Sequence, residues 1–406
     1  MPNRGKFIGS QDNLYVPDAP TIGDASAGNT QVSVAFTAPS DVGNDAITAY
    51  GASVTDGTNV IGATGSSSPV TVTGLTNGTS YTAQVWAIND YGNGPLSAAT
   101  SSFSPALDRI LYAGGRQSST ANSDTVQYIN GSSTGNATDF GNLSAGRDML
   151  SSVASSTRGV VGGGKSTSSQ SAVLNIVEYF TFASTGNATD LGDLTVARDK
   201  GAGFGSGTRG IFAGGKNSSN SEELTIDYVT IASVANAIDF GDIAVGTRGG
   251  FIGGFASPTR GVFAGGYNQN IIQYLTIASL GNTSDFGDLT VQRWEVKGCS
   301  TSTRGLFMGG WDDSTRYNVI DYVTIASTGN ATDFGNLSAD KREGASASNS
   351  TRGMYFGGET SSTQGDGLNV IEYVTIASTG DVTDFGDLLA AGEEGTACSS
   401  THGGIA

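Results

Sequence analysis

RGVFAGG runs from Arg260 to Gly266, and near copies stand along the chain: RILYAGG (109–115), RGVVGGG (158–164), RGIFAGG (209–215), RGLFMGG (304–310) and RGMYFGG (352–358). The first glycine of each closing pair falls at 114, 163, 214, 265, 309 and 357, a spacing of 44 to 51 residues. Each copy is an apolar run that stops on two glycines, which predicts a short strand ending in a turn. Between copies the order is constant. A variable loop leads to an alternating run such as NVIDYVTIAS (318–327), then to STGNATDFGNLS (327–338), and then to an arginine-led run of small residues such as RDKGAGFGS (198–206). A Ser-Thr-Arg-Gly turn opens the next copy. Four short strands and their turns fit that length.

The segment STGNATDFGNLS also occupies Ser133–Ser144 and returns in variant form at 184–195, 279–290 and 378–389. It contains Asp-Phe-Gly, a metal-holding triplet in protein kinases, and Asn-Ala-Thr, a glycosylation acceptor. A catalytic triplet is needed once, whereas a turn and an outer strand are needed in every repeat. No glycine-rich nucleotide loop, lysine strand or His-Arg-Asp context accompanies it. The segment therefore reads as turn plus strand, with its Phe as a packing residue. The alternative, a hard-cation site at Asp-x-Gly-Asp, rests on clustered carboxylates alone.

Counting strands leaves the first repeat one short, because nothing before Arg109 matches the small-residue run. Glu394–Gly403 does match: it aligns with Glu343–Gly353, less one residue. The end of the chain is expected to supply the missing strand and remove an exposed sheet edge. Composition agrees with an all-β chain. Its 406 residues include 61 Gly and only 8 Pro, while 37% of residues are hydrophobic, enough to pack. Charge excludes some partners. A net −17 repels phosphate backbones and anionic lipid, so neither nucleic acid nor membrane insertion is expected. Two cysteines, Cys299 and Cys398, make no disulfide framework, and one histidine, His402, cannot build a His-based metal site. No metal and no cofactor is expected. The first twenty residues lack the apolar run of a signal peptide, and manufacture in a cytoplasm is the expectation.

These repeats resemble the Kelch family of β-propellers, which share the apolar run ending in Gly-Gly and a spaced aromatic in the following strand. Tyr179, Tyr228, Tyr274, Tyr322 and Tyr373, with Phe140, Phe240, Phe286, Phe334 and Phe385, stand where that family often has Trp. The resemblance implies a six-bladed propeller closed by the C-terminal strand over 106–406. Residues 19–105 resemble a fibronectin type III sandwich: QVSVAFTAP, AITAYGASVT, PVTVTGL and SYTAQVWAIN alternate with turns, and Gly74–Tyr81 looks like that family's tyrosine corner. Phe36 stands where the family usually buries a Trp. Residues 1–18 are expected to form an extended arm, whose Arg4, Lys6, Phe7 and Ile8 are candidates for docking.

Internal comparison separates fixed from divergent positions. The arginines of the Ser-Thr-Arg-Gly turns are alike and read as structural. The residue after Gly-Gly varies between repeats: Arg116, Lys165, Lys216, Tyr267, Trp311 and Glu359. The loops that follow are therefore the expected binding surface, with Arg147, Arg198, Arg293 and Arg342 expected on the same face. Trp311, Asp312, Asp313, Arg316 and Tyr317, with Tyr267 and Trp294 nearby, form a candidate carbohydrate platform. Burial of Trp294 and Trp311 between repeats is the competing reading. An arm, a spacer and a repetitive β domain resemble bacteriophage tail or fibre-type virion proteins. That implies a virion location, contact with other virion proteins through the arm, and a propeller face that meets a host-surface glycan or receptor. Two further readings remain, a capsid or tail decoration protein and a glycan-cleaving enzyme. No convergent catalytic motif favours the last, and no enzyme is expected.

Overall fold

Alternation of apolar and polar residues along Thr82–Asn89 buries every second side chain, the pattern of a strand with one face in a core. The structure is a computed structural model that describes residues 15–105, 107–118, 121–167, 169, 172–244, 250, 252–267, 269–360 and 367–405. The docking candidates Arg4, Lys6, Phe7 and Ile8 lie outside the described residues. Contacts divide the chain into two units, Met1–Leu107 and Asp108–Ala406.

The first unit is a sandwich of two antiparallel sheets. Thr21–Gly28, Gln31–Thr37 and Val70–Thr73 form one; Val60–Gly65, Ala49–Thr55, Thr82–Asn89 and Gly92–Asn93 form the other. Val32, Val34, Val54, Val72 and Val85 are fully buried between them. The expected tyrosine corner is present: buried Tyr81 accepts the Thr76 N–H on its hydroxyl at 3.1 Å. Phe36 is buried against Tyr50, ring centroids 4.6 Å apart, so the smaller aromatic shares its space with a neighbour.

Among the described residues the second unit contains six four-stranded antiparallel sheets. Sheet 2 spans 151–193, sheet 3 202–242, sheet 4 252–288, sheet 5 297–341 and sheet 6 345–392, each with its strands in chain order. Sheet 1 is assembled from both ends of the unit, in the order Thr138–Asn142, Thr125–Asn130, Arg109–Ala113 and Thr396–Ser399. The last strand pairs antiparallel with Arg109–Ala113, Thr396 opposite Ala113 and Ser399 opposite Ile110. The first strand of each sheet packs on that of the next, and the first strand of sheet 2 packs on Thr396–Ser399. These strands approach closely. A Cβ added at Gly203 would lie 2.2 Å from the Ser152 carbonyl oxygen, and one at Gly253 2.1 Å from that of Val296, which is why the run is built of small residues.

Each Ser-Thr-Arg-Gly arginine, and Arg109 at the equivalent place in sheet 1, makes two contacts. Its guanidinium lies over the tyrosine of its own sheet, 4.2 to 4.6 Å from the ring centroid, for Arg109, Arg158, Arg209, Arg260, Arg304 and Arg352. Its Nη1 donates to a backbone carbonyl of the next sheet: Arg158 to Ile231, Arg209 to Ile277, Arg260 to Ile325 and Arg304 to Ile376. Arg109 reaches Phe182, and Arg352 closes the series on Gly131 in sheet 1. The repeated turn does comparable work at the outer edge. Gly186, Gly281, Gly329 and Gly380 donate their N–H groups to Phe140, Phe240, Phe286 and Phe334 of the preceding sheet, and Gly135 to Phe385 of sheet 6. Asn187 Oδ1 accepts the Asn142 N–H, as Asn282 does that of Asp242 and Asn330 that of Asp288. Asp381 takes the same role toward Asn336, so the position requires only an acceptor oxygen. The recurring Asp-Phe-Gly and Asn-Ala-Thr letters are thus accounted for by sheet-to-sheet pairing.

Three of the four arginines expected beside the variable loops are instead interior, while Arg342 lies against Trp311 and Glu359 as expected. Arg147, Arg198 and Arg293 are buried and pair with Glu178, with Asp227 at 2.8 Å and with Asp321 at 3.0 Å. The equivalent in sheet 6 is Lys341, paired with Glu372, and not Arg342. A desolvated cation is tolerable only opposite an anion. Where sheet 1 has Gly392 at that place, Gln127 replaces the acid and accepts the Leu389 N–H at 2.7 Å. Glu178→Ala, which leaves Arg147 buried and unpaired, is expected to cost about 3 to 5 kcal/mol, read as a lowered urea midpoint. Gln127→Ala, with no charge opposite, should cost much less.

Candidate functional site

Every second strand ends on two glycines, and both adopt positive φ, for example Gly309 at 63° and Gly310 at 115°. That turn sets the following residue against the connection that enters the sheet. The resulting one-residue bridges are Arg116 with Glu393, Lys165 with Asp148, Lys216 with Asp199, Trp311 with Trp294, and Glu359 with Arg342. Divergence after Gly-Gly is therefore concerted. Four of these bridges join a cation to an anion, in either order, and one joins two tryptophans.

Three expected ligand residues belong to this framework. Arg116 is 2% exposed and held by Asp148 at 2.6 Å and Glu394 at 2.7 Å. Lys165 is 6% exposed, and Lys216 is part-buried with Glu222 at 4.0 Å. Arg116 is thus an interior ion-pairing group and Lys165 a buried one, contrary to the expectation of a loop surface. The signal for this lay in the connection residues Glu393, Asp148 and Asp199, whose sign opposes theirs.

The aromatic bridge is different. Trp294 and Trp311 exchange two backbone hydrogen bonds, of 2.8 and 2.9 Å, and their rings meet edge to face at 5.5 Å. Tyr267 of sheet 4 packs on Trp294 at 4.7 Å. Trp294 is 1% exposed, whereas Trp311 and Tyr267 are part-exposed, so one tryptophan is core and the other reaches the surface. Around them the remaining candidates converge. The Tyr267 hydroxyl donates to Asp313 Oδ2 at 2.6 Å, joining sheets 4 and 5. Asp312 Oδ1 accepts from the Ser314 and Thr315 N–H groups and Oδ2 from the Tyr317 hydroxyl, and these bonds hold its carboxyl well below the usual range. Arg316 donates to Glu359 at 3.2 Å, and Arg342, itself bonded to Glu359 at 2.6 Å, lies over the Trp311 ring at 4.2 Å. The structure thus brings together Tyr267, Trp311, Asp312, Asp313, Arg316 and Tyr317.

A second cluster, unseen in the sequence, lines a cavity where the connections converge. Met149, Lys200, Glu295, Glu343 and Glu394 hold equivalent positions, all in the left-handed region with φ between 54° and 61°. Lys297 joins them. Burial, reinforced by Glu343, pushes the Glu295 carboxyl up to about 8. Burial also raises Glu343 and Glu394 and lowers Lys200 and Lys297. Glu343, Glu359 and Glu393 each bring a carboxylate oxygen within 4.8 Å of the others, a spacing that could hold a metal ion. Arg342 lies 3.6 Å from Glu343 and 2.6 Å from Glu359, so a guanidinium already balances two of the three.

Elsewhere, a groove between sheets 5 and 6 is lined by Thr301, Thr303, Arg304, Thr351, Thr375 and Ile376. The part-buried His402 bonds Ala154 O through Nε2 and accepts the Gly404 N–H on Nδ1, and desolvation lowers its pKa. Both cysteines are buried free thiols, pushed up to about 12 by burial.

The fibronectin type III domain model matches residues 18–103, and the first unit is a fibronectin type III domain at the N-terminus of an all-β chain. A comparison with curated proteins gives no match.

A carboxyl raised by folding keeps a proton that the unfolded chain releases. Its stabilising effect is complete below the unfolded value near 4.5 and is lost as pH rises through the folded value. Glu295→Gln, which is neutral at this position at all pH, should therefore gain stability relative to the parent chain progressively from about pH 4.5 to about pH 8 and level off above that. A difference that does not vary across that range would contradict the protonation of Glu295.

Proposed function

We propose that the second unit is a six-bladed, Kelch-like β-propeller, and that the chain is a structural protein of a bacteriophage virion, an appendage adhesin that binds a host-surface glycan. What supports the propeller reading is the repetition itself: six four-stranded sheets, first strands packed in sequence, and one sheet completed from both ends of the unit. The repeats share the Gly-Gly strand and spaced aromatic of that family. The virion reading rests on architecture, a fibronectin type III domain followed by a glycine-rich repetitive β domain in a strongly acidic chain.

One observation carries the glycan reading. In a series of cation–anion bridges, the entry to sheet 5 alone among the described bridges substitutes an aromatic pair, with Tyr267 beside it. Ion pairs would have served packing there as they do elsewhere. The part-exposed Tyr267 and Trp311 rings instead offer apolar surface to sugar C–H groups, while neighbouring carboxylates take hydroxyls. On this reading the protein catalyses no reaction and needs no cofactor.

Trp311→Ala and Tyr267→Ala together should weaken binding to host cells by at least about tenfold, with an unchanged circular dichroism spectrum; undiminished binding by the folded double variant would remove the site. Antibody to residues 108–406, viewed on purified particles by electron microscopy, should label tail tips or fibre ends. Label spread over the head or tail wall would point to decoration, and its absence from all particles would overturn the virion assignment.

A further inference from the structure

We infer that the Tyr267–Trp311 surface selects uncharged saccharides, whose hydroxyls donate to the Asp313 carboxylate, and turns anionic sugars away. This rests on the saccharide reading above and adds the class of sugar to it.

The donor and acceptor inventory leads there. The cations beside the aromatic pair are engaged: Arg316 bonds Glu359, and Arg342 bonds Glu359 while its plane covers Trp311. Both phenol hydroxyls donate inward, Tyr267 to Asp313 and Tyr317 to Asp312. Asp312 is saturated by its own loop. Asp313 is exposed, and its Oδ1 takes no hydrogen bond among the described residues, while Oδ2 is fixed by Tyr267. The surface thus offers a held carboxylate and no uncommitted guanidinium. A carboxylate only accepts, so its ligand must donate, which a sugar hydroxyl does. A carboxylate, sulfate or sialate brings acceptors and like charge, and placing it beside Asp313 costs desolvation with no uncommitted cation to offset it.

Backbone geometry agrees. Asp313 has φ 76°, a conformation in which glycine or asparagine is at less cost. This chain uses glycine freely at such turns, including Gly309 and Gly310 just upstream. The turn carries the Asp313 carboxylate at an exposed position. The net charge of −17 acts in the same direction at longer range, by lowering the local concentration of anions.

The test is binding of the full chain to immobilised neutral hexose, N-acetylhexosamine, uronate, sulfated and sialylated oligosaccharides at 0.05 and 0.15 M salt. Neutral sugars should bind at least about tenfold more tightly than anionic ones, with a gap that narrows at the higher salt. Asp313→Asn, which keeps the backbone and an acceptor for Tyr267, should weaken neutral binding about tenfold and narrow the gap. If that variant does not fold, Asp313→Gly fits the same φ and removes the carboxylate. Preference for anionic sugars, or neutral binding indifferent to both variants, would overturn the inference; if that binding still required Trp311, the saccharide reading would survive. A folded chain that binds no saccharide would overturn both.

Discussion

An arginine stacked on the tyrosine of one sheet and hydrogen-bonded to the next is the contact on which the second unit depends. A four-stranded sheet of this length has two broad faces and cannot bury both alone. Six arginines tie six sheets in sequence, the last to the first, and each contact needs the neighbour in register. The guanidinium suits the task because its plane stacks while its edge donates, which a lysine ammonium cannot do together. The outer turns add a second tie, since the N–H groups of one sheet's turn are satisfied by carbonyls of the sheet before it. Stability is thereby shared between neighbours.

This division of labour frees the Gly-Gly ends for other uses. With the sheets joined at their opposite ends and outer edges, the entry bridges need only complementary pairs. Arg116 with Glu393 and Arg342 with Glu359 show that either order of charge serves. At sheet 5 the same geometric slot accommodates two indoles, one buried for packing and one partly exposed. The candidate site is thus a change of side chains on a fixed backbone plan, positioned by strands and tight turns that hold it to a definite geometry.

Much of the fold was legible because repetition supplies its own controls. The spacing of Gly-Gly marked the sheets, and the match of Glu394–Gly403 to Glu343–Gly353 located the strand that pairs with Arg109–Ala113. Tyr81 and its upstream bond were readable for a similar reason, a fixed local pattern. Other features required pairs distant in sequence. Arg147 and its counterparts looked like surface groups because their acids, Glu178, Asp227, Asp321 and Glu372, sit in the third strands some thirty residues on. Arg116 and Lys165 looked free to diverge because each was read alone, although their partners diverge with them. Convergence of Lys200, Lys297, Glu295, Glu343 and Glu394 on one cavity follows from the packing of first strands, which no single repeat encodes.

Ligand recognition is proposed to reside at the aromatic cluster that joins sheets 4 and 5. A crystal structure of the full chain with the tightest-binding neutral oligosaccharide tests it most directly. A sugar ring is expected against Trp311 and Tyr267 with a hydroxyl on Asp313 Oδ1. Density in the hydroxyl-lined groove between sheets 5 and 6, or on the fibronectin type III domain, with the aromatic surface bare, would contradict it.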